Sequence, residues 1–161
     1  MIVRRGSAAV LLAAGCAAGP ATIQAASVSE PRAVVSSSAP HAAPALPRGC
    51  SPRAVACVST HHRLAWIQYD GKPAYGPVRV GLGRPSQPTP RGSFRVAWKD
   101  EKHTSSSYGI DMPYSVFFAS GGIAFHQGRV DEPSHGCVHL PPAAAARFFS
   151  ALDRGDRVEV F

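Results

Sequence analysis

The sequence predicts a mainly β fold, a β-sandwich or open barrel carrying one C-terminal helix. Three observations predict it. From residue 54 onward the apolar residues fall in short runs, several of which alternate with polar neighbours at the period of a half-buried strand. Asp70-Gly71 and Ser120-Gly121-Gly122 lie between such runs, where hairpin turns belong. Pro142 to Leu152 alone has a helix-forming composition.

Taken in order, Val55 to Ser59 is an apolar run of strand length. Arg63 to Tyr69 alternates around Leu64, Trp66 and Ile67, and Asp70-Gly71 turns it back into Lys72-Pro73-Ala74-Tyr75 and Val78-Arg79-Val80. Gly83 to Pro90 contains Pro85, Pro88 and Pro90 and reads as loop. Ser93 to Trp98 alternates cleanly and reads as one strand; Lys99 to Ser107 is polar and reads as a mobile excursion. Tyr114 to Ala119 and Ile123 to His126 form the second hairpin. In the helical segment, proline suits the first turn, Ala143 to Ala146 favour helix, and Gly155 suits a C-terminal cap. Arg157 to Phe161 closes as a strand. Trp66, Trp98, Phe117, Phe148 and Phe149 read as core, and His61, His62 and His103 as solvated residues without a role.

The chain divides into a signal peptide (1–26), a disordered Pro/Ala/Ser linker (27–49) and a folded domain (50–161). Arg4 and Arg5 precede a short apolar stretch from Gly6 to Ala18, the pattern of an export signal. Its end has two readings. Leu12-Ala13-Ala14-Gly15-Cys16 resembles a lipobox, with Ala13 where a larger aliphatic is usual, and would make Cys16 a lipidated first residue. Cleavage near Ala25 or Ala26 would discard Cys16 instead. Both readings place the protein outside the cytoplasm, in the cell envelope, where disulfides persist. The linker is rich in proline, lacks aromatic residues and shows no periodicity, so it buries too little to offset ordering entropy. No apolar run approaches the roughly 18 residues of a membrane span, which leaves a lipid anchor at Cys16 as the only expected membrane contact.

The formal charge of the whole chain is +7. The folded part carries 13 Lys+Arg against 9 Asp+Glu, a mild positive excess suited to an anionic envelope polymer. Its basic residues are scattered and form no stripe with aromatics, so no nucleic-acid partner is expected.

Four cysteines carry the chemistry. Cys50 and Cys57 lie close together and can pair across a small loop, and Cys16 is lipidated or removed. Cys137 is left over. Around it stand His126, His135 and His139, together with Ser134 and Gly136. A thiolate is a strong nucleophile, and a neighbouring imidazole is expected to lower the thiol pKa from about 8.5. Gly136 permits a tight backbone approach, and the adjacent amide N–H groups can receive an oxyanion. These residue types describe a cysteine acyl-transfer enzyme. The alternation of His135, Cys137 and His139, with His126, also fits a zinc site, but that reading leaves Ser134 and Gly136 unexplained.

Ile123-Ala124-Phe125-His126 followed by Ser134-His135-Gly136-Cys137-Val138-His139 resembles the signature of the L,D-transpeptidase catalytic domain, the YkuD-like family. Thr89-Pro90-Arg91-Gly92-Ser93-Phe94, Tyr108-Gly109, Met112-Pro113-Tyr114 and Arg154 to Val160 resemble other elements of that family, so the likeness covers residues 54 to 161. There are two departures. Only seven residues, Gln127 to Pro133, separate the first His from the Ser, and His139 stands where the family usually has Arg or Asn.

The resemblance implies a peptidoglycan L,D-transpeptidase. Cys137 would attack the carbonyl of the third residue of a stem peptide, with His126 as base and then acid, its tautomer fixed by a backbone carbonyl such as that of Gln127. D-Ala would leave, and an amine of a second stem (3→3 cross-link) or water would resolve the thioester. His135 and Gly136 would shape the loop and oxyanion site, and Tyr108, Tyr114, Ser134 and His139 would meet substrate. Carbapenem-type β-lactams would acylate Cys137, and neither metal nor cofactor is expected. Two alternatives stand beside it. A non-catalytic wall-binding protein of the same fold is favoured by His139. A sortase-like transpeptidase would need a longer His-to-Cys separation and a catalytic Arg on a strand, whereas Arg147 falls in the helix. In an NlpC-type peptidase Cys precedes His, the reverse of this order.

Overall fold

Asp70 and Gly71 both take positive φ, 50° and 74°, and close a two-residue hairpin between Leu64–Tyr69 (β2) and Lys72–Arg79 (β3). The computed structural model describes residues 46–161, so the expected signal peptide, Cys16 and most of the linker lie outside the described residues. The other elements are Ala56–Ser59 (β1), Gly92–Arg95 (β4), Trp98–Thr104 (β5), Asp111–Ala119 (β6), Ile123–Gln127 (β7), Val138–Leu140 (β8), Pro142–Ala151 (α1) and Arg157–Val160 (β9).

They build two sheets, as the sequence predicts. One runs β3-β2-β1-β9-β4, with β1 antiparallel to β2 and parallel to β9. The other runs β5-β6-β7-β8, with β7 and β8 parallel. β1 is buried at every position because it has a neighbour on each side and apolar layers on both faces. Ala56 and Val58 enter the main core, while Cys57 joins Ala54 and Trp66 in a smaller cluster with Leu46, Cys50 and Phe161. Cys50 and Cys57 are disulfide-bonded, with Cα atoms 6.0 Å apart. β3 and β5 are edge strands. β3 carries Pro73 and Pro77, which an edge tolerates because a missing N–H faces no partner there.

Helix α1 has no side-chain N-cap; Pro142 opens it, and packing holds it. Ala144, Ala145 and Phe148 are its buried residues, at helical spacing. Phe148 lies between Tyr75 and Phe125, with ring centroids 6.3 Å and 5.1 Å away, and such burial contributes roughly 2–3 kcal/mol. The helix ends at Leu152 in extended conformation, with its N–H donated to Phe148 O. Gly155, expected as the cap, serves instead in the turn into β9 with φ 97°.

Two strand expectations are corrected. Ser93 to Trp98 is not one strand. The Val96 N–H donates to Asp156 O and the Ala97 N–H to Phe117 O, so the chain leaves one sheet for the other at this point. Lys99 to Ser107 is not an excursion. Its first part is β5, paired with β6 from Trp98↔Phe117 to Thr104↔Asp111. Its polarity is that of an edge strand with an exposed face.

Candidate active site

Val138 and Leu140 on β8 are fully buried in the main core, so strand alternation turns Cys137 and His139 to the opposite face. On β7, Phe125 enters the same core, and Ala124 and His126 share the face of Cys137. Parallel pairing sets His126 beside His139, and their rings meet edge to face at 4.9 Å between centroids. Cys137, His126, His135, His139 and Tyr108 all line one cleft of about 680 Å³.

His126 is 5% exposed. Its Nδ1 lies 2.8 Å from Gln127 O, the carbonyl anticipated from the sequence. A carbonyl only accepts, so Nδ1 carries the hydrogen and Nε2 of the neutral ring presents its lone pair. Burial, chiefly, and then the neighbouring His139 push His126 down from 6.5 to about 4; the Gln127 carbonyl opposes them, and His103 adds a smaller lowering. The unfolded chain therefore holds a proton between pH 6.5 and 4 that the folded one refuses. Stability is complete above that window and falls through it on acidification, by roughly 3 kcal/mol in all. Denaturation at pH 7 and pH 4 should show that loss in the native chain and its disappearance in His126→Asn. Equal losses in both chains would contradict it.

The Cys137 thiol rests on Met112, Phe117 and Ala124 and donates to Gly122 O at 3.6 Å. This apolar floor pushes its pKa above the ordinary value, with a backbone hydrogen bond at Ala124 opposing. The expectation of a lowered thiol pKa is thereby corrected. The nearby imidazole is itself buried and neutral, and a neutral ring does not offset desolvation. Both shifts favour the uncharged forms, thiol and imidazole.

The loop before β8 is built by Ser134. Its Oγ–H donates to Cys137 O at 2.6 Å and its Oγ accepts the Gly136 N–H at 3.0 Å. Ser134, expected to touch substrate, is buried with its hydroxyl committed to the loop. Gly136 has φ 116°, and a Cβ there would lie 2.6 Å from Ile123 Cδ1. Only glycine fits, and the residue after it is the thiol.

Tyr108 stacks on His135 at 4.1 Å and 18°, on the cleft wall. Tyr114 is not a cleft residue. It packs against Phe149 of α1, 5.9 Å between centroids, and against the main core. Its φ of 58° breaks the alternation of β6, so Met112 and Phe117 come to the same face beneath Cys137. Trp98, expected in the core, is 44% exposed, lies flat on Phe117 at 3.7 Å and lines the cleft with His103. His103 meets both rings edge-on. Placing Trp98 and His103 there required recognising β5, whose polar sequence concealed it.

A family model for the L,D-transpeptidase catalytic domain (YkuD) matches residues 53–160. Among curated proteins, L,D-transpeptidase 1 of Mycobacterium tuberculosis is 34% identical over 101 residues, covering 50% of this chain and 40% of that protein. The crystal structure of an L,D-transpeptidase from Stackebrandtia nassauensis matches with TM-score 0.63 and 33% identity, over 66% of this chain and 54% of the other. L,D-transpeptidase 3 from M. tuberculosis, solved in complex with a faropenem-derived adduct, matches with TM-score 0.57 and 25% identity, over 67% of this chain and 60% of the other. The chain spans about half the length of these relatives.

Proposed function

This chain belongs to the L,D-transpeptidase catalytic-domain family, and from that premise we propose that it is a peptidoglycan L,D-transpeptidase working through Cys137. The observation that carries the reading is the shared face of β7 and β8. There His126, its Nδ1 tied to Gln127 O, lines the same cleft as Cys137.

Cys137 Sγ attacks the carbonyl carbon of the third stem-peptide residue while its proton passes to His126 Nε2. An S–C bond forms and the carbonyl oxygen becomes an oxyanion. The Gly136 N–H is already donated to Ser134 Oγ, so the neighbouring amide of Cys137 receives the negative charge. As the C–N bond breaks, His126 returns the proton to the departing D-Ala amine and leaves a thioester. The side-chain amine of a second stem then attacks, its proton passes through His126 back to Sγ, and a 3→3 cross-link results. Water in place of the amine yields a free carboxylate. Because His126 sits at about 4, it is an effective acid toward the leaving amine once charged and stays neutral at envelope pH.

A β-lactam carbonyl offers the thiol the same electrophile; the faropenem-derived adduct of L,D-transpeptidase 3, a penem product, and the imipenem complex of a related L,D-transpeptidase support β-lactams, carbapenems among them, as covalent inhibitors here. The Cys50–Cys57 bond supports an extracytoplasmic location, since disulfides persist outside the reducing cytoplasm.

The test is incubation of the purified chain with a disaccharide-tetrapeptide, followed by mass analysis. A 3→3 dimer with released D-Ala is the expected product, and tripeptide with D-Ala would indicate water as the acceptor. Unchanged tetrapeptide would overturn the reading.

A further inference from the structure

We propose that His139 is a positioning residue for His126, a latch that closes the short Gln127–Pro133 connection onto β8 and sets a second imidazole against the ring of the general base. The proposal rests on the reading of His126 as that base.

Four contacts hold His139. Its backbone exchanges hydrogen bonds with Gly81, N–H to Gly81 O at 2.9 Å and Gly81 N–H to His139 O at 3.0 Å. Its Nδ1 lies 2.9 Å from Arg129 O. The carbonyl accepts, so the ring donates and pins the connection three residues beyond His126. Its face lies over Gly128, where any Cβ would stand 2.8 Å from His139 Cγ. Its edge meets the His126 ring. The connection is braced from outside by Arg63 Nη2 donating to Val130 O at 3.0 Å, and within itself by Arg129 pairing with Asp131 and Glu132.

The two departures noted in the sequence are therefore one device. A connection of only seven residues turns back tightly enough to bring the Arg129 carbonyl over β8, and a histidine at 139 reaches it. Gln127 O, which fixes the His126 tautomer, lies between His126 and that pinned carbonyl in the chain, so slack at Arg129 would loosen the orientation of the base.

The second imidazole adds an electrostatic consequence. Two rings in edge contact do not both accept protons cheaply, so His139 disfavours a proton on His126. The titratable groups sharing their cleft are Cys137 from the β8 loop, His135 beside it with Tyr108 stacked on its ring, Arg129 and Glu132 from the connection, and His103 and Asp111 from β5 and β6. None of the carboxylates among them forms a hydrogen bond or ion pair with either ring among the described residues.

Two variants separate latch from charge. His139→Asn keeps a donor near the position of Nδ1 and removes the imidazole. It should move the acid limb of kcat/KM and the NMR titration of His126 up by about half a pH unit or more. His139→Ala also removes the donor and should lower kcat about tenfold or more, with KM little changed. Gly128→Ala, which drives a methyl into the His139 ring, should move the same readouts in the same direction. A His126 titration that stays put in all three folded variants would overturn the proposal and leave the base intact. A His126→Gln chain that retains activity would instead overturn the base reading itself.

Discussion

Cys137→Ala is expected to abolish D-Ala release and the mass gain on incubation with imipenem, because no other residue lining the cleft supplies a free thiol. A nucleophile deleted from a covalent mechanism costs on the order of 10⁴-fold or more. The fold should survive, since the substitution removes one sulfur from a half-buried position above Met112, Phe117 and Ala124, and the remaining methyl still packs there. Intact-mass spectrometry after lactam exposure, run beside a thermal melt, checks both statements. A folded variant that still gains the lactam mass would move the nucleophile elsewhere.

His126→Gln should lower kcat and kcat/KM together by about 10²–10⁴-fold, the range for a positioned proton carrier. It should leave the thiol open to direct alkylation. Because burial pushes the Cys137 thiol up and His126 is neutral, iodoacetamide should modify native Cys137 slowly near pH 6 and faster with every rise through pH 9. A rate plateau already present near pH 6 would reveal a standing thiolate–imidazolium pair and contradict the neutral resting state. In the native chain the acid limb of kcat/KM should follow His126 and lie near pH 4 rather than 6.5, because the base works only when unprotonated.

Local chemistry was legible wherever one residue type has few physical uses. Asp70-Gly71 marks a turn because its backbone angles suit few other pairs. An unpaired cysteine preceded by glycine and flanked by histidines marks a reactive group. Gln127 O as the partner of His126 was implied by the resemblance to the L,D-transpeptidase catalytic domain and not by any spacing of the residues. What was not legible depends on sheet membership. Strict alternation across Ser93 to Trp98 gives no sign that the strand changes sheets at Val96. The polar pattern of β5 looks like loop until a neighbour completes its hydrogen bonds. Trp98 was misplaced for that reason, since its exposure follows from lying on an edge. Tyr114 shows the reverse failure, because a single residue at positive φ inverts the faces of β6 and no periodicity reveals it. The hydroxyl of Ser134 looked available because nothing in the sequence says that the Cys137 carbonyl and the Gly136 amide would claim it.

β3 and β5, two of the four strands that end the sheets, have one more consequence. An exposed strand edge is a template on which another chain can add, the first step of fibrous aggregation. In β3 the amides that would receive such a chain are interrupted at Pro73 and Pro77. In β5 the outer edge runs through Lys99, Asp100, Glu101 and Lys102, so an added strand would have to set its own side chains against four consecutive charges. One edge is blunted by missing donors and the other by charge. At these two edges, strand addition by a second chain is disfavoured in the folded domain.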